Sequence, residues 1–255
     1  MINYTDLKFR AVYWAVNKLD KHKEVHFMNF GFYDREKILS LDSADEANRY
    51  SVQLYNHLTD LIELKDKDIV EIGSGRGGGL AYIAKNHNPK SLKGIDLSKS
   101  AVAFSNKHHK LRNLSFQHGD AQQIPLMNNC CDVVLNVESS HRYPEMDRFL
   151  SEVIRILKTG GHFLFTDFRY DYEWTALQEL FERSGFRILF EKDITPFVLG
   201  ALELDDQRRR TLVKKLAPKY LQGAMLNFAG TIGSETYNYF FSRKYVYKSY
   251  AFEKL

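Results

Sequence analysis

The first candidate ligand-binding motif is a glycine-rich stretch that contains one acidic residue. Residues 71–80 read EIGSGRGGGL. The stretch contains a G-x-G-x-x-G pattern that begins at Gly73, and an E-x-G-x-G-x-G pattern formed by Glu71, Gly73, Gly75 and Gly77. Glycine after a strand lets the backbone approach a ligand closely, and the helix that follows offers the positive end of its dipole. The pattern predicts a cofactor turn, but glycine alone does not separate a dinucleotide from S-adenosylmethionine.

Three acids at predicted strand ends help to decide between a dinucleotide and S-adenosylmethionine as the cofactor. Glu71 lies in an otherwise apolar strand, where a carboxylate is costly unless it is paired. A dinucleotide site normally keeps this position apolar, whereas a cofactor with an ammonium and a sulfonium gives the acid a use. Asp96 ends the second predicted strand, where an acid can accept hydrogen bonds from ribose hydroxyls. Asp120 follows the third strand and can accept a bond from an adenine amino group, with the N–H of Ala121 against the ring.

Each acid also has a structural interpretation. Glu71 could pair with a nearby lysine or arginine, and Asp120 lies in a Gly-Asp pair that is common in surface turns. Taken together, the three acids favour S-adenosylmethionine.

A second polar group follows the fourth predicted strand, in residues 136–143, NVESSHRY. Open α/β sheets bind ligands outside the carboxyl ends of their strands. His141 is the candidate base, because a neutral imidazole can take a hydroxyl proton near neutral pH. Glu138 could orient that ring or stabilise its charged form. A hydrogen-bonded structural histidine is the alternative for His141, and Asp167 with Arg169 could frame the pocket or form a structural pair.

From residue 68 onward, short apolar runs alternate with amphipathic segments. Strands are predicted at 68–73, 91–97, 114–119, 132–138, 162–168 and 187–194, and helices at 77–87, 98–110, 145–158, 172–184 and 196–216. This alternation is typical of βαβ units, and it predicts an α/β fold with an open, mostly parallel sheet and helices on both faces. A turn at 159–161 separates the third of these helices from its strand.

Both ends of the chain depart from this alternation. Helices are predicted at 6–19 and 44–64 around an aromatic loop at 26–34, which together suggest an N-terminal helical lid. Residues 236–255 are rich in tyrosine and phenylalanine and predict a hairpin or an antiparallel strand, which could end the sheet or pair across a homodimer. We expect a single domain, with a cap at 1–64, a cofactor core at 65–193, and substrate-cap helices and C-terminal strands at 194–255.

Composition excludes several classes of protein. The 255 residues are 44% hydrophobic and 27% charged, which is typical of globular proteins. No signal peptide or long apolar run is present, so we expect a cytoplasmic protein without stable membrane insertion. The adjacent Cys130 and Cys131 make no metal-ligand pattern, and no metal site is predicted. The run Arg208–Arg210 indicates a solvated helix face, and N/D-P-P-Y/F is missing after the fourth strand, so a nucleic-acid target is disfavoured.

The chain resembles class I S-adenosylmethionine-dependent methyltransferases, in particular the bacterial small-molecule O-methyltransferases of the phthiotriolone/phenolphthiotriolone dimycocerosates type. The stretches that carry this likeness are MNFGFYD, DEANRYSVQLYNHL, VEIGSGRGGGLAYIA, GIDLSKSAV, DVVLNVESSHRYP, LKTGGHFLFTDFR, DITPFVLGAL and FAGTIGSETY. The resemblance implies a Rossmann-like, seven-stranded sheet whose last strand is antiparallel.

The resemblance also assigns roles by position. Gly73, Gly75 and Gly77 would hold the methionine moiety with support from Glu71, Asp96 would bind the ribose, and Asp120 with Ala121 would clamp the adenine. Asn136 would face the amino-acid end of the cofactor, and Tyr33 would close over its carboxylate.

The expected function is methylation of a hydroxyl on a small, apolar, lipid- or polyketide-like molecule. We expect Phe30, Phe32, Phe197, Leu199 and Leu202 to line the acceptor cavity. C- or N-methylation of a similar acceptor is the first alternative. An NAD-dependent oxidoreductase, or a catalytically silent binding protein on the same fold, is a more distant one.

Overall fold

One seven-stranded sheet organises the chain. The computed structural model describes residues 16, 20 and 23–255. The strands are β1 (Asp68–Ile72), β2 (Ser91–Asp96), β3 (Leu114–His118), β4 (Cys131–Val137), β5 (Leu157–Tyr170), β6 (Phe186–Asp193) and β7 (Tyr245–Lys254). Their order is β3-β2-β1-β4-β5-β7-β6, and only β7 runs antiparallel to its neighbours. The predicted mostly parallel, Rossmann-like sheet with an antiparallel C-terminal strand is confirmed.

Helices cover both faces of this sheet. Between residues 23 and 255 they are α1 (Ser43–Glu46), α2 (Arg49–Thr59), α3 (Gly78–Asn86), α4 (Lys99–His108), α5 (Met146–Ile156), α6 (Trp174–Arg183), α7 (Thr195–Leu216), α8 (Lys219–Phe228) and α9 (Glu235–Phe241). Ile69 and Val133 are buried in the apolar cluster that contains α2, α3 and α7 residues. Val70 and Val134, one residue further along, are buried in the cluster that contains α5 and α6 residues. Because successive strand side chains point to opposite faces, the sheet carries an apolar core on each side.

Three predicted boundaries were wrong. The helix predicted at 44–64 is two helices, α1 and α2. The turn predicted at 159–161 is part of β5, where an irregularity in the β4–β5 pairing lets Leu157 face Cys131 and His162 face Val133. The first part of the tyrosine-rich tail is α9, because the Ser234 side chain accepts the N–H of Tyr237 and begins a helix there.

The tail also differs from both predicted arrangements of its strand. β7 lies between β5 and β6 and is hydrogen bonded on both sides. It therefore neither ends the sheet nor leaves a free edge for pairing across a dimer, and the sheet edges are β3 and β6. Across the described part of the chain, no helix has both the length and the apolar character needed to span a membrane.

The segment before α1 is held against α2 and α7 by backbone hydrogen bonds. The helix predicted at 6–19 lies outside the described residues, except that Val16 is helical. Residues 26–34 form neither helix nor strand, as predicted. We call residues 23–33 the strap. Asp20, just before it, forms a buried ion pair with Arg76, in which Asp20 Oδ2 and Arg76 Nη2 lie 2.8 Å apart. The Phe32 N–H donates a hydrogen bond to the Tyr50 carbonyl.

An arginine on α7 holds the strap from the other side, which corrects the interpretation of the arginine run as a solvated face. Arg209 is only 7% exposed. Its guanidinium donates to the Asp205 carboxylate, the Ala229 carbonyl and the Phe30 carbonyl, each at 2.9 Å. Arg208, the preceding residue, has a side chain that is 36% exposed and bonds the same carboxylate. The run therefore contains one structural arginine beside a surface one.

These two arginines make a matched stability test. Arg209→Ala removes four hydrogen bonds and leaves three backbone carbonyls without that donor, so we expect it to lower the free energy of unfolding by about 3 kcal/mol. Arg208→Ala breaks an ion pair near the surface and is expected to cost about 0–1 kcal/mol. Denaturant unfolding of both variants measures the difference. Equal losses would contradict the assignment of Arg209 as the structural member.

Candidate active site

The glycine turn between β1 and α3 uses conformations that favour glycine. Gly73, Gly75 and Gly77 have φ angles of 76°, 53° and 78°. A Cβ added to Gly73 would lie 2.3 Å from the Ser139 hydroxyl oxygen, and one at Gly77 would lie 2.5 Å from the Phe116 ring. These three glycines therefore let the turn pass close to the ends of neighbouring strands.

The first acid, Glu71, is buried below this turn. It is 0% exposed, and its Oε1 accepts a hydrogen bond of 2.7 Å from the Tyr55 hydroxyl. Its Oε2 has no hydrogen-bond partner among the described residues. Burial raises the pKa of Glu71 to about 8, and the nearby charge of Asp96 adds to this. Glu71 is thus paired with a tyrosine, not with the lysine or arginine of the structural interpretation.

The second acid ties the turn to β2. The Asp96 carboxylate accepts the Gly75 N–H and the Ser98 N–H, both at 2.8 Å. Burial raises the pKa of Asp96, while these two bonds act in the opposite direction. Each carboxylate oxygen of Asp96 can still accept a hydrogen bond from a further donor.

The third acid lies beside the second. The Gly119 N–H donates to the Asp96 carbonyl, which joins the turn after β3 to the end of β2. Asp120 is exposed and accepts the Gln122 N–H at 2.8 Å, and Ala121 next to it is buried. The glycine turn therefore lies at the carboxyl ends of the strands together with Asp96 and Asp120, the acids predicted to bind ribose and adenine.

A group of polar side chains continues this edge at the end of β4. Asn136 is buried, and its side-chain amide donates to the Ile72 carbonyl at 2.9 Å and to the Ser139 hydroxyl at 2.8 Å. The Tyr143 hydroxyl lies 2.9 Å from the Ser139 hydroxyl. The Asn136 Oδ1 has no partner among the described residues. Tyr55, Ser139 and Tyr143 were missed by sequence analysis, because single hydroxyl residues give no pattern.

Tyr33 lies elsewhere. Its N–H donates to the Phe197 carbonyl, its ring packs edge-on to that of Tyr50, and a Cβ on Gly200 would touch it. These contacts place it against α7. The strap residues that approach the glycine turn are instead His26, whose carbonyl accepts the Gly78 N–H, and Phe27.

His141 follows β4 in a short 3-10 helix (Ser140–Arg142) and is paired with a carboxylate of β5. Its Nδ1 lies 2.7 Å from the Asp167 Oδ1, and its backbone N–H donates to the Asp167 Oδ2 at 3.0 Å. The Ser140 hydroxyl donates to the same Oδ2, and Arg169 lies 3.2 Å from it. Asp167 thus orients the ring, the role that sequence analysis gave to Glu138.

The charges of this pair are fixed by their surroundings. Burial alone would raise the pKa of Asp167, but His141 and Arg169 hold it well below its ordinary value, so the residue is a carboxylate. Burial lowers the pKa of His141, and Asp167 only partly offsets this, so the imidazole is neutral at pH 7. Because Asp167 is an acceptor, the proton of the neutral ring lies on Nδ1 and the lone pair on Nε2. This arrangement can accept a proton from a hydroxyl.

Glu138 has different partners from those predicted. It adopts a left-handed φ of 45°, and its Oε1 accepts the Phe30 N–H and the Tyr247 hydroxyl, both at 2.7 Å. Burial raises the pKa of Glu138 to about 8. Glu138 therefore links the strap to β7 by hydrogen bonds. It is close to His141 in sequence, but no hydrogen bond joins the two side chains among the described contacts.

The five predicted apolar cavity residues lie in one core cluster or pack against it. The rings of Phe32 and Phe197 stack at 4.9 Å, and Leu202 is fully buried in the same core cluster. Phe30 is the exception, because it also lines a cleft between the strap and α7.

The polar groups around the turn fit S-adenosylmethionine better than a dinucleotide. Two buried acceptor oxygens, the Glu71 Oε2 and the Asn136 Oδ1, have no partner among the described residues and suit a cationic group that donates hydrogen bonds. Asp96 can accept bonds from hydroxyls. A pyrophosphate would instead offer these buried oxygens no hydrogen-bond donor, and it would meet the Asp96 carboxylate as a like charge.

Comparison with known proteins agrees with this geometry. A methyltransferase domain family matches residues 70–165. The chain is 34% identical to a phthiotriol/phenolphthiotriol dimycocerosates methyltransferase of Mycobacterium tuberculosis over 232 residues, which cover 91% of this chain and 86% of the relative. It is also 34% identical to a fatty-acid O-methyltransferase of Mycolicibacterium smegmatis, with 84% and 78% covered.

A solved structure supports the fold. The chain aligns with the geranyl diphosphate C-methyltransferase of Streptomyces coelicolor, solved with S-adenosyl-L-homocysteine, at a TM-score of 0.69 and 15% identity, covering 100% of this chain and 99% of the other. At that identity the likeness concerns the fold alone. With the sequence identity to named methyltransferases and the matching domain, the chain belongs to the family of S-adenosylmethionine-dependent methyltransferases.

Proposed function

We propose that this enzyme transfers a methyl group to a hydroxyl oxygen of a small, apolar, lipid-like acceptor. The observation that carries the proposal is the His141–Asp167 pair, which holds a neutral imidazole two residues beyond the Ser139 hydroxyl that borders Gly73. An alcohol is a poor nucleophile until its proton is removed, so a positioned base has a use in O-methylation.

The residues that would hold the cofactor follow from the contacts of the turn. Gly73, Gly75 and Gly77 would admit the methionine moiety, and Glu71 and Asn136 would meet its amino-acid end with their unpartnered oxygens. Asp96 would accept the ribose hydroxyls, and Asp120 with Ala121 would bind the adenine. When bound, S-adenosylmethionine supplies an electrophilic methyl group on a sulfonium. We do not assign Tyr33 a contact with the cofactor, because it packs against α7.

The protein's own part in the reaction is positioning and proton removal. Asp167 fixes the ring of His141 and favours the tautomer with the proton on Nδ1, so that Nε2 can take the hydroxyl proton as the oxygen attacks. Asp167 also stabilises the imidazolium that results. The Phe168 ring, 4.4 Å from the imidazole, limits access of water to the pair.

A lipid-like acceptor is supported by the surroundings and by the relatives. Phe30 and Phe168 pack at 5.4 Å next to the imidazole and give the site an apolar wall. The two relatives are named for phthiotriol dimycocerosates and for fatty acids. C- or N-methylation remains the alternative, and mass spectrometry of the methylated product separates these outcomes.

The base assignment predicts a specific loss of rate. With labelled cofactor and a panel of long-chain alcohols and fatty acids as acceptors, His141→Ala should lower kcat on alcohols by about 10²–10⁴-fold, with S-adenosylhomocysteine affinity changed less than about threefold. His162→Ala, at the opposite end of β5, is the control and should keep its activity. An unchanged kcat in His141→Ala on every acceptor would argue that an already ionised group, such as a carboxylate, is methylated.

The same assignment predicts a pH profile. Activity on an alcohol requires the neutral imidazole, so kcat/KM should rise with pH and level off, with the midpoint below 6.5 because burial lowers the pKa of His141. Asp167→Asn removes the charge that partly offsets this shift, so its midpoint should move to lower pH while kcat falls. A midpoint unaffected by Asp167→Asn would contradict the role of Asp167.

The cofactor assignment predicts proton release on binding. Because the pKa of Glu71 is raised to about 8, the residue is largely protonated at pH 7, and a cation next to it should drive the proton off. Calorimetry of S-adenosylhomocysteine binding in buffers of different ionisation enthalpy should therefore detect released protons, and affinity should rise between pH 6 and 8. Glu71→Gln should lose most of this release, whereas the surface variant Glu63→Gln should keep it. Undiminished release in Glu71→Gln would exclude Glu71 as its source.

A further inference from the structure

The second half of α7 and the whole of α8 carry basic residues and no acidic ones. We call residues 207–228 the α7–α8 hairpin. This segment and the loop that follows it, up to residue 234, contain three arginines and three lysines but no aspartate or glutamate. The whole chain is nearly balanced, with 36 basic and 32 acidic residues. A segment with charges of one sign attracts a surface of the opposite sign.

Two of these six cations are available to a partner. The three arginines form ion pairs with aspartates of α7 itself, and Lys215 bonds Glu24 of the strap. Lys214 and Lys219 are exposed, and neither forms an ion pair with a described residue. They lie on either side of the turn between the two helices, so the tip of the hairpin presents two unpaired ammonium groups.

An exposed tyrosine lies beside these lysines. Tyr220, in the first turn of α8, is 83% exposed. Gly223 and Ala224, three and four residues further on, are also exposed, whereas Met225 is buried. Because residues three and four apart share a helix face, Tyr220 lies on the outer face of α8 among small residues. Tyrosine at such a position is typical of surfaces that meet lipid headgroups, where its apolar ring and polar hydroxyl both find partners.

An open depression continues this outer face. It holds about 380 Å³ of space between α8 and the loop before α9, and Gly223, Leu226 and Ile232 line it. The Ile232 side chain is 44% exposed. The depression therefore adds a second exposed apolar side chain to the surface that begins at Tyr220.

From this combination we infer that the α7–α8 hairpin docks on the surface of an anionic lipid bilayer, with Lys214 and Lys219 at the headgroups and Tyr220 between them. Lysines attract anionic lipids, and an interfacial aromatic ring adds contact that depends less on salt. The inference rests on the proposed function in one respect, because a lipid-like acceptor partitions into bilayers and gives such docking a use.

The hairpin is joined to the strap, which contacts the glycine turn. Val25 of the strap shares a small apolar cluster with Val213 of α7 and Met225 of α8. One residue after Val25, the His26 carbonyl accepts the Gly78 N–H. A bilayer bound by the hairpin would therefore lie next to the strap side of the molecule.

Charge reversal at the tip tests the docking. The probe is sedimentation of the full chain with vesicles of phosphatidylcholine that contain about one third phosphatidylglycerol. Each lysine near an anionic surface strengthens binding about fivefold, so Lys214→Glu combined with Lys219→Glu should weaken binding at least twentyfold. Lys65→Glu combined with Lys67→Glu is the matched control, because both residues are exposed and precede β1. This control changes the net charge equally and should bind within about threefold of the unmodified chain.

A fluorescent probe reports contact with the bilayer directly. Tyr220→Trp should show emission that shifts to shorter wavelength with these vesicles and is quenched by brominated lipids. Tyr172→Trp, at a position that is 76% exposed in the short 3-10 helix after β5, should show neither change. Thermal unfolding checks that every variant is folded.

Three results would overturn the docking. They are equal weakening by the two double variants, unchanged emission of Tyr220→Trp with vesicles, and binding of single-stranded RNA in place of vesicles with the same dependence on Lys214 and Lys219. Binding that is equal on pure phosphatidylcholine, or that survives about 0.5 M salt undiminished, would likewise contradict a role for the lysines.

Failure of the proposed function has a different signature. Vesicle binding requires no methyl transfer, so His141→Ala should bind vesicles like the unmodified chain. If no hydroxyl compound is methylated but the lysine-dependent binding persists, the docking assignment stands and the O-methyltransferase assignment falls. Methylation of alcohols by a chain that does not bind vesicles would remove the docking assignment alone.

Discussion

The side chain of Glu71 is fully buried at the start of the glycine turn, and its one hydrogen-bond partner among the described residues is the Tyr55 hydroxyl. A carboxyl group with no exposure and only one bonded oxygen is retained in the protonated form, which is why its pKa is raised to about 8. The hydrogen bond from the Tyr55 hydroxyl offsets only part of this cost. In the proposed function, a cation that donates a hydrogen bond to the second oxygen would offset more of it, so the residue would favour a cationic cofactor over a phosphate.

The parallel sheet explains why so few residues suffice for the site. Strands β1, β2, β4 and β5 run in the same direction, so their carboxyl ends lie on the same side of the sheet. This brings together four polar residues that are far apart in sequence: Glu71, Asp96, Asn136 and Asp167. The turn after each strand then needs only one or two polar side chains. This is the general arrangement by which open α/β sheets bind ligands, and here it joins a cofactor turn on β1 and β2 to an imidazole–carboxylate pair on β4 and β5.

Sequence alone predicted the parts of this arrangement that repeat along the chain. Alternating apolar runs predicted the strands and helices, and the glycines with Glu71, Asp96 and Asp120 at strand ends predicted that these residues would lie together, as they do. Sequence could not pair His141 with Asp167, because their contact depends on β4 lying beside β5. Nor could it separate Arg209 from Arg208, since neighbouring positions of one helix differ in burial only once α8 and the strap are packed against it. The first part of the tail was misjudged because its aromatic residues favour a strand, whereas the Ser234 cap begins a helix there.

The strap links three regions through a few backbone bonds: the glycine turn, Glu138 after β4, and Arg209 on α7. The carbonyl of His26 accepts the Gly78 N–H, while Phe30 donates to Glu138 and accepts from Arg209. A shift of the strap would therefore alter all three regions together, because the chain between His26 and Phe30 is too short to absorb a large displacement at one end alone. Phe30 is the residue where two of these contacts meet, because it bonds Glu138 through its N–H and Arg209 through its carbonyl.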